Sequence, residues 1–152
     1  MKVKLLMNYL IENNITVSCA ESCTGGLLIA TLINVPGASK IINESYVTYS
    51  IEAKERMLGV DPETIEKCGV ASTETSIEMA KGLKQKTNSD IAISVTGYAG
   101  GTNKNEPNGL FFYTIIINDK MYSEHFQVKG TRNTARRRQV EHIIDRLYEL
   151  IK

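Results

Sequence analysis

Apolar residues at Val3, Leu6, Met7, Leu10 and Ile11 recur at helical spacing, so the chain opens on an amphipathic helix ending near Asn13 and Asn14. Ile15 to Ala20 then reads as a strand, followed by a tight turn and a buried helix over the apolar segment Leu27 to Ile33. Pro36-Gly37-Ala38-Ser39 breaks that helix, and the β-rich Tyr46-Val47-Thr48-Tyr49 predicts a second strand. Ser50 reads as the N-cap of a short helix from Ile51 to Leu58 that Gly59 closes. Asp61-Pro62-Glu63 starts another helix, stopped by Gly69. Thr73 or Thr75 begins the next, with Thr75 and Glu78 spaced as a capping box and Met79, Ala80 and Leu83 facing inward. Ile91 to Thr96 predicts a strand buried on both faces, running into Gly97-Tyr98-Ala99-Gly100-Gly101 and a polar loop over 102–108. Leu110 to Ile117 and Tyr122 to Val128 form a hairpin around Asn118-Asp119-Lys120. A last helix runs from Thr131 or Asn133 to Ile151.

Strands and helices interleave, while the late hairpin must be antiparallel. The pattern therefore predicts an α/β fold, a three-layer α/β/α sandwich on a mixed sheet, as a single domain over residues 1–152. In such sheets ligands bind beyond the carboxyl ends of the strands. Both glycine-rich turns follow strands, so they are expected to face one pocket.

Composition narrows the function. A 152-residue chain with 42% hydrophobic and 23% charged residues is that of an ordinary soluble protein, and its net charge of +1 argues against a general nucleic-acid binder. No apolar run approaches a membrane span, and the N-terminus lacks a signal-peptide pattern. Cys19, Cys23 and Cys68 lack metal-site spacing and only two histidines accompany them, so no metal is expected and free thiols in a cytoplasm are the simplest account.

The richest chemistry lies in Thr16-Val17-Ser18-Cys19-Ala20-Glu21-Ser22-Cys23-Thr24-Gly25-Gly26. A strand-to-helix junction gathers unpaired N–H groups and the positive end of the helix dipole, where an anion or developing oxyanion is stabilised. Ser22, Cys23 and Thr24 are all potential nucleophiles there, and Gly25 and Gly26 let a ligand approach the backbone. On spacing alone the plainer reading is that Ser22 or Thr24 caps a helix and the glycines serve packing, since most caps do no chemistry. Lys54, one turn into its helix, reads by itself as a solvated surface residue. Glu21 reads either as a buried ion-pair partner fixing the turn or as part of the site. Arg132, Arg136, Arg137 and Arg138 crowd a helix start, where the dipole disfavours cations, so an anionic partner is one account of them.

The string Ala20-Glu21-Ser22-Cys23-Thr24-Gly25-Gly26 resembles the signature of the CinA C-terminal domain family, the nicotinamide-nucleotide amidohydrolases. The resemblance continues through Pro36 to Ser39, Tyr46 to Ser50, Glu52 to Lys54, Leu58 to Val60, Ser94 to Gly100, and Gly130, Arg132 and Arg136, covering nearly the whole chain in the family's order. It implies hydrolysis of the carboxamide of nicotinamide mononucleotide to nicotinic acid mononucleotide and ammonia, with neither metal nor organic cofactor. By the same resemblance Ser22 is the nucleophile, Lys54 its base and Tyr49 a hydroxyl that orients or relays a proton. N–H groups around Cys23 to Gly26 form the oxyanion hole. Thr24, Gly25, Gly26, Thr96, Gly97 and Gly100 are expected to contact the nucleotide, and Arg132 and Arg136 its phosphate. A lysine needs no histidine partner, because burial lowers its pKa until it accepts a serine proton. His125 and His142 fall in the hairpin and last helix, where neither suits a catalytic base.

The resemblance further implies a homo-oligomer, and a stand-alone domain without the N-terminal domain of full-length CinA proteins. The chain departs from the family at Tyr98, usually a small aliphatic residue, and at Glu106-Pro107-Asn108-Gly109, usually Lys-Pro-Val-Gly. A lysine exchanged for Glu106 weakens or redirects anion binding if that side chain points inward. Two other functions fit the sequence: a non-catalytic pyridine-nucleotide-binding module, and an interaction domain serving competence or DNA uptake.

Overall fold

The computed structural model describes residues 1–101 and 104–152, so Thr102 and Asn103 of the predicted polar loop lie outside the described residues. The elements run α1 (Val3–Glu12), β1 (Val17–Glu21), α2 (Leu27–Ile33), a 3-10 turn (Ala38–Lys40), β2 (Tyr46–Val47), α3 (Ile51–Leu58), α4 (Pro62–Cys68), α5 (Thr73–Thr87), β3 (Ile91–Gly97), β4 (Leu110–Ile117), β5 (Lys120–Gln127) and α6 (Arg132–Ile151). The five strands form one sheet in the order β2-β1-β3-β4-β5. β1 is parallel to β2 and β3, and β3, β4 and β5 are successively antiparallel. The sheet is mixed, as the pattern required.

Strand periodicity divides the core into two layers. Val17, Cys19, Ile91, Ile93, Val95, Phe111, Tyr113 and Ile115 pack against α1, α2 and α6. The alternate residues Ala20, Ala92 and Ile116 pack against Met79, Ala80 and Leu83 of α5, joined by Leu58 and Val60. This second layer also carries a hydroxyl seam: Ser76 Oγ lies 2.8 Å from Thr114 Oγ1, and Ser94 Oγ donates to Ser76 O at 2.5 Å. The result is a three-layer α/β/α sandwich.

Local capping accounts for most boundaries. Ser50 Oγ accepts from Ala53 N and Gly59 closes α3, while Asp61 caps α4 ahead of Pro62. Thr131 caps α6. The predicted capping box of Thr75 and Glu78 does not form. Ser72 caps α5 by accepting from Thr75 N, and Glu78 instead accepts from Asp61 N. β2 is two residues shorter at its end than predicted, since the carbonyls of Thr48 and Tyr49 turn toward α3. β5 begins two residues earlier than expected because the hairpin turns tightly at Asn118 and Asp119, with Asn118 at φ 55°.

Parallel pairing of β1 with β3 sets Glu21 opposite Val95, so both strands end on the same edge of the sheet. The turn holding Ser22 and the turn holding Gly97 to Gly100 therefore stand side by side. β2 ends at the same edge and delivers the chain into α3.

Candidate active site

Ser22 and Cys23 sit just beyond β1 and line a cleft of about 370 Å³ with Tyr49, Ile51, Lys54, Val70, Thr96 to Ala99, Glu106 and Arg132. Lys54 reaches in from α3 and is 1% exposed. Its Nζ lies 2.8 Å from Ser22 Oγ, 2.8 Å from Thr48 O and 3.3 Å from Tyr49 O. Burial pulls its pKa from the ordinary 10.5 to about 8. A neutral amine has two N–H donors and one lone pair. The two carbonyls take the donors, and the lone pair is left for the Ser22 hydroxyl.

The turn itself is held from beneath. Glu21, wholly buried, accepts from Thr24 Oγ1 at 2.6 Å, Gly26 N at 3.2 Å and Leu28 N at 2.8 Å through Oε1, and from Ile29 N at 3.0 Å through Oε2. It faces no cation among the described residues, and its role is to cap α2 from below. The anion site expected at this helix start is thus filled by the chain's own carboxyl group. Gly25 N donates to Ser22 O and Gly26 N to Glu21 Oε1, which engages two of the oxyanion donors expected over 23–26 within the fold.

The structure separates the predicted site residues into two sets. Ser22, Lys54, Tyr49, Thr96, Gly97 and Arg132 line one cleft. Thr24, Gly25, Gly26, Gly100 and Arg136 do not line it, and each has a partner within the fold. Thr24 donates to Glu21. Gly26 abuts Val47, and Gly100 is packed against Ala135 and Gly130 O. Arg136 donates to Cys23 O at 3.2 Å and Thr24 O at 2.7 Å. Of the arginine run Arg132 lines this cleft, whereas Arg137 and Arg138 do not and bond to Thr134 and Lys129 O.

Tyr49 has its hydroxyl against Arg132 at 3.1 Å, and its link to Lys54 runs through its backbone carbonyl. Thr96 donates to Val70 O at 3.0 Å from the cleft wall. Cys23 is no rival nucleophile: burial pushes its thiol up to about 12, and Sγ donates to Gln139 Oε1 at 3.5 Å. His142 stacks on Phe126 and lies 3.0 Å from Tyr113 OH, away from the cleft.

Sequence reasoning missed Gln139 and the second role of Thr48. Gln139 is fully buried on α6 and donates Nε2 to Tyr98 O at 2.8 Å and Gly109 O at 3.4 Å, tying the second glycine loop to the first. A glutamine on the inner stripe of an amphipathic helix was the available signal. Thr48 supplies the carbonyl nearest Lys54, and its Oγ1 is the one buried side-chain oxygen without a partner among the described residues.

Residues 2–151 match the CinA C-terminal domain family. The chain is 46% identical over 138 residues to a Clostridium acetobutylicum protein named for competence and damage induction, covering 90% of this chain and 34% of that protein. It is 40% identical over 144 residues to a CinA-like protein of Kosmotoga olearia, covering 93% and 35%. It thus spans about a third of the length of these curated relatives. Among solved structures, a CinA superfamily protein of Escherichia coli superposes with a TM-score of 0.91 at 27% identity, covering 98% of this chain and 88% of that one. A competence/damage inducible protein of Agrobacterium tumefaciens gives 0.89 at 30% identity, covering 100% and 97%. With the signature turn, the sheet order and the sequence in agreement, the chain belongs to the CinA C-terminal domain family.

Proposed function

We propose that this chain is a metal-independent amidohydrolase that deamidates nicotinamide mononucleotide through an acyl-enzyme on Ser22. The observation that carries the reading is the buried Lys54 amine, 2.8 Å from Ser22 Oγ and shifted toward its neutral form. Neutral Lys54 takes the Ser22 proton as Oγ attacks the carboxamide carbon. The carbonyl oxygen becomes an oxyanion, stabilised by the N–H of Cys23, which lines the cleft beside Ser22. Lys54 returns the proton to the leaving nitrogen, the C–N bond breaks, and ammonia departs. Water then attacks the ester with Lys54 again as base, releasing the acid and regenerating Ser22.

Two charges at the cleft wall suit this substrate. Arg132 offers a guanidinium to the phosphate, with Tyr49 beside it. Glu106 also lines the cleft, so the exchange from the family's lysine places a carboxyl side chain where an anion was expected. The N-alkylated nicotinamide ring carries its own positive charge, and Glu106 with Tyr98 suits that ring rather than the phosphate. The names of the relatives speak of competence and damage induction. A DNA-facing role needs a dominant basic surface, whereas the net charge here is +1.

Ammonia release from nicotinamide mononucleotide tests the reading, with Ser22→Ala and Lys54→Ala alongside. Turnover in the parent and a fall of about a thousandfold or more in both variants is expected. Activity surviving Ser22→Ala would remove the nucleophile assignment. Calorimetric binding by a parent that releases no ammonia would make the chain a pyridine-nucleotide-binding module.

A further inference from the structure

Gln139 lies on the inner stripe of α6 with Ala135 and Ile143, and all three are fully buried. Among the described residues, every hydrogen bond of its side chain leaves the helix. Nε2 donates to Tyr98 O at 2.8 Å and to Gly109 O at 3.4 Å, and Oε1 accepts from Cys23 Sγ at 3.5 Å. A primary amide has two N–H donors and one acceptor oxygen. The two carbonyls need the donors and the thiol needs the acceptor, so the orientation of the amide is fixed and its donors are used up. Val140, Ile143 and Leu147 show that apolar side chains suffice to dock this helix. A buried amide is costly unless fully bonded, and its presence here is accounted for by what it joins.

Tyr98 and Gly109 are the two ends of the segment between β3 and β4. Tyr98 N donates to Leu110 O at 2.8 Å, so the Gln139 amide closes the base of that loop beside an existing rung. Gly100 leans on the first turn of α6, where a Cβ would run into Ala135 Cβ. The loop contributes Tyr98, Ala99 and Glu106 to the cleft, and Cys23 lines the same cleft next to Ser22, whereas Gln139 itself does not line it. Arg136, one turn earlier on α6, donates to Cys23 O at 3.2 Å and Thr24 O at 2.7 Å. One face of α6 thus braces the nucleophile's turn and the loop together.

We infer that Gln139 is a positioning residue that sets how the loop carrying Tyr98 and Glu106 stands against the Ser22 turn, and so how tightly the cleft holds its substrate. The inference rests on the reading of this cleft as the amidase site.

Two substitutions dissect the clasp. Gln139→Met keeps the length and the packing but has no amide, while Gln139→Glu keeps an acceptor for Cys23 without the paired donors. Steady-state kinetics with nicotinamide mononucleotide are measured for both beside the parent. Amide exchange by NMR is followed at Tyr98 and Leu110, and at Ile143, Ile144 and Leu147 of α6.

Both variants are expected to raise KM about tenfold or more, with a smaller change in kcat. Exchange at Tyr98 and Leu110 is expected to quicken about tenfold while the α6 amides keep the parent's rates. A protein that merely folds less well loses apparent kcat and keeps its KM, so KM is the decisive reading. A KM within about twofold of the parent in Gln139→Met would overturn the inference alone. Faster exchange throughout α6 would overturn it too, because Gln139 would then serve only to dock the helix. A parent that releases no ammonia would overturn the amidase reading, and this inference with it.

Discussion

Lys54 Nζ stands 2.8 Å from Ser22 Oγ, although the two residues reach that point from different elements: a turn after β1 and the first turn of α3. No carboxyl group is among the hydrogen-bond partners of the amine, whose other contacts are the carbonyls of Thr48 and Tyr49. The lysine is therefore held by dipoles alone. A buried ammonium so placed is easily discharged.

The rate should follow that discharge. Deamidation by the parent is expected to rise with pH and level off through an apparent pKa near 8, as Lys54 becomes free to accept the Ser22 proton. Ammonia release between pH 6 and pH 10 measures the profile. A rate independent of pH across that interval would remove Lys54 as base.

Stability should carry the same signature. The amine titrates near 8 when folded and near 10.5 when unfolded, so between those values the unfolded chain binds more protons and stability rises with pH. Below pH 8 the folded protein bears the whole burial cost, and above 10.5 it bears none. Lys54→Met removes this dependence. Its stability relative to the parent should be most favourable below pH 8 and decline by up to about 3 kcal/mol by pH 10.5. Urea unfolding of both proteins at pH 7 and pH 10.5 reads the difference.

Glu21 gathers four donors with two oxygens, which an amide cannot do. Glu21→Gln turns an NH₂ toward at least one buried N–H, at a cost of about 1–3 kcal/mol. Thermal unfolding should show the loss, and kcat should fall too because Ser22 is the next residue. An unchanged melting temperature would mean that the carboxyl is not what holds the turn.

The thiols should differ sharply in reactivity. Cys68 is exposed, whereas Cys19 and Cys23 are buried and burial pushes both thiols up, Cys23 to about 12. Iodoacetamide at pH 8 is expected to add one group to the folded protein, on Cys68, with activity retained. Mass spectrometry of the digested product locates it. Loss of activity tracking alkylation of Cys23 would reopen that residue as nucleophile.

Elements with strong local punctuation were legible from the sequence. Ser50 and Gly59 bracket α3, Asp61 and Pro62 open α4, and the aromatic and β-branched run of Leu110 to Ile117 marks β4. The capping box at Thr75 was misread because Ser72 begins the helix one turn earlier, leaving Glu78 free to reach Asp61. Ser22 and Lys54 were named through family resemblance, since a lysine on a short polar helix shows no sign of burial by itself. The arginine run was illegible for a different reason. Hydrogen bonds from Arg136 to carbonyls 112 and 113 residues away have no local pattern, so only the docked helix shows that those donors are already engaged.

The brace formed by α6 also bears on the order in which the protein is made. Ser22 and Lys54 are 32 residues apart and both emerge early from the ribosome, but the groups that hold the nucleophile's turn, Arg136 and Gln139, come more than 110 residues after it. A nascent chain ending at β5 would hold the reacting pair with nothing fastened to Cys23 and Thr24. The turn that carries Ser22 is therefore fastened only once α6 has been made and docks against it.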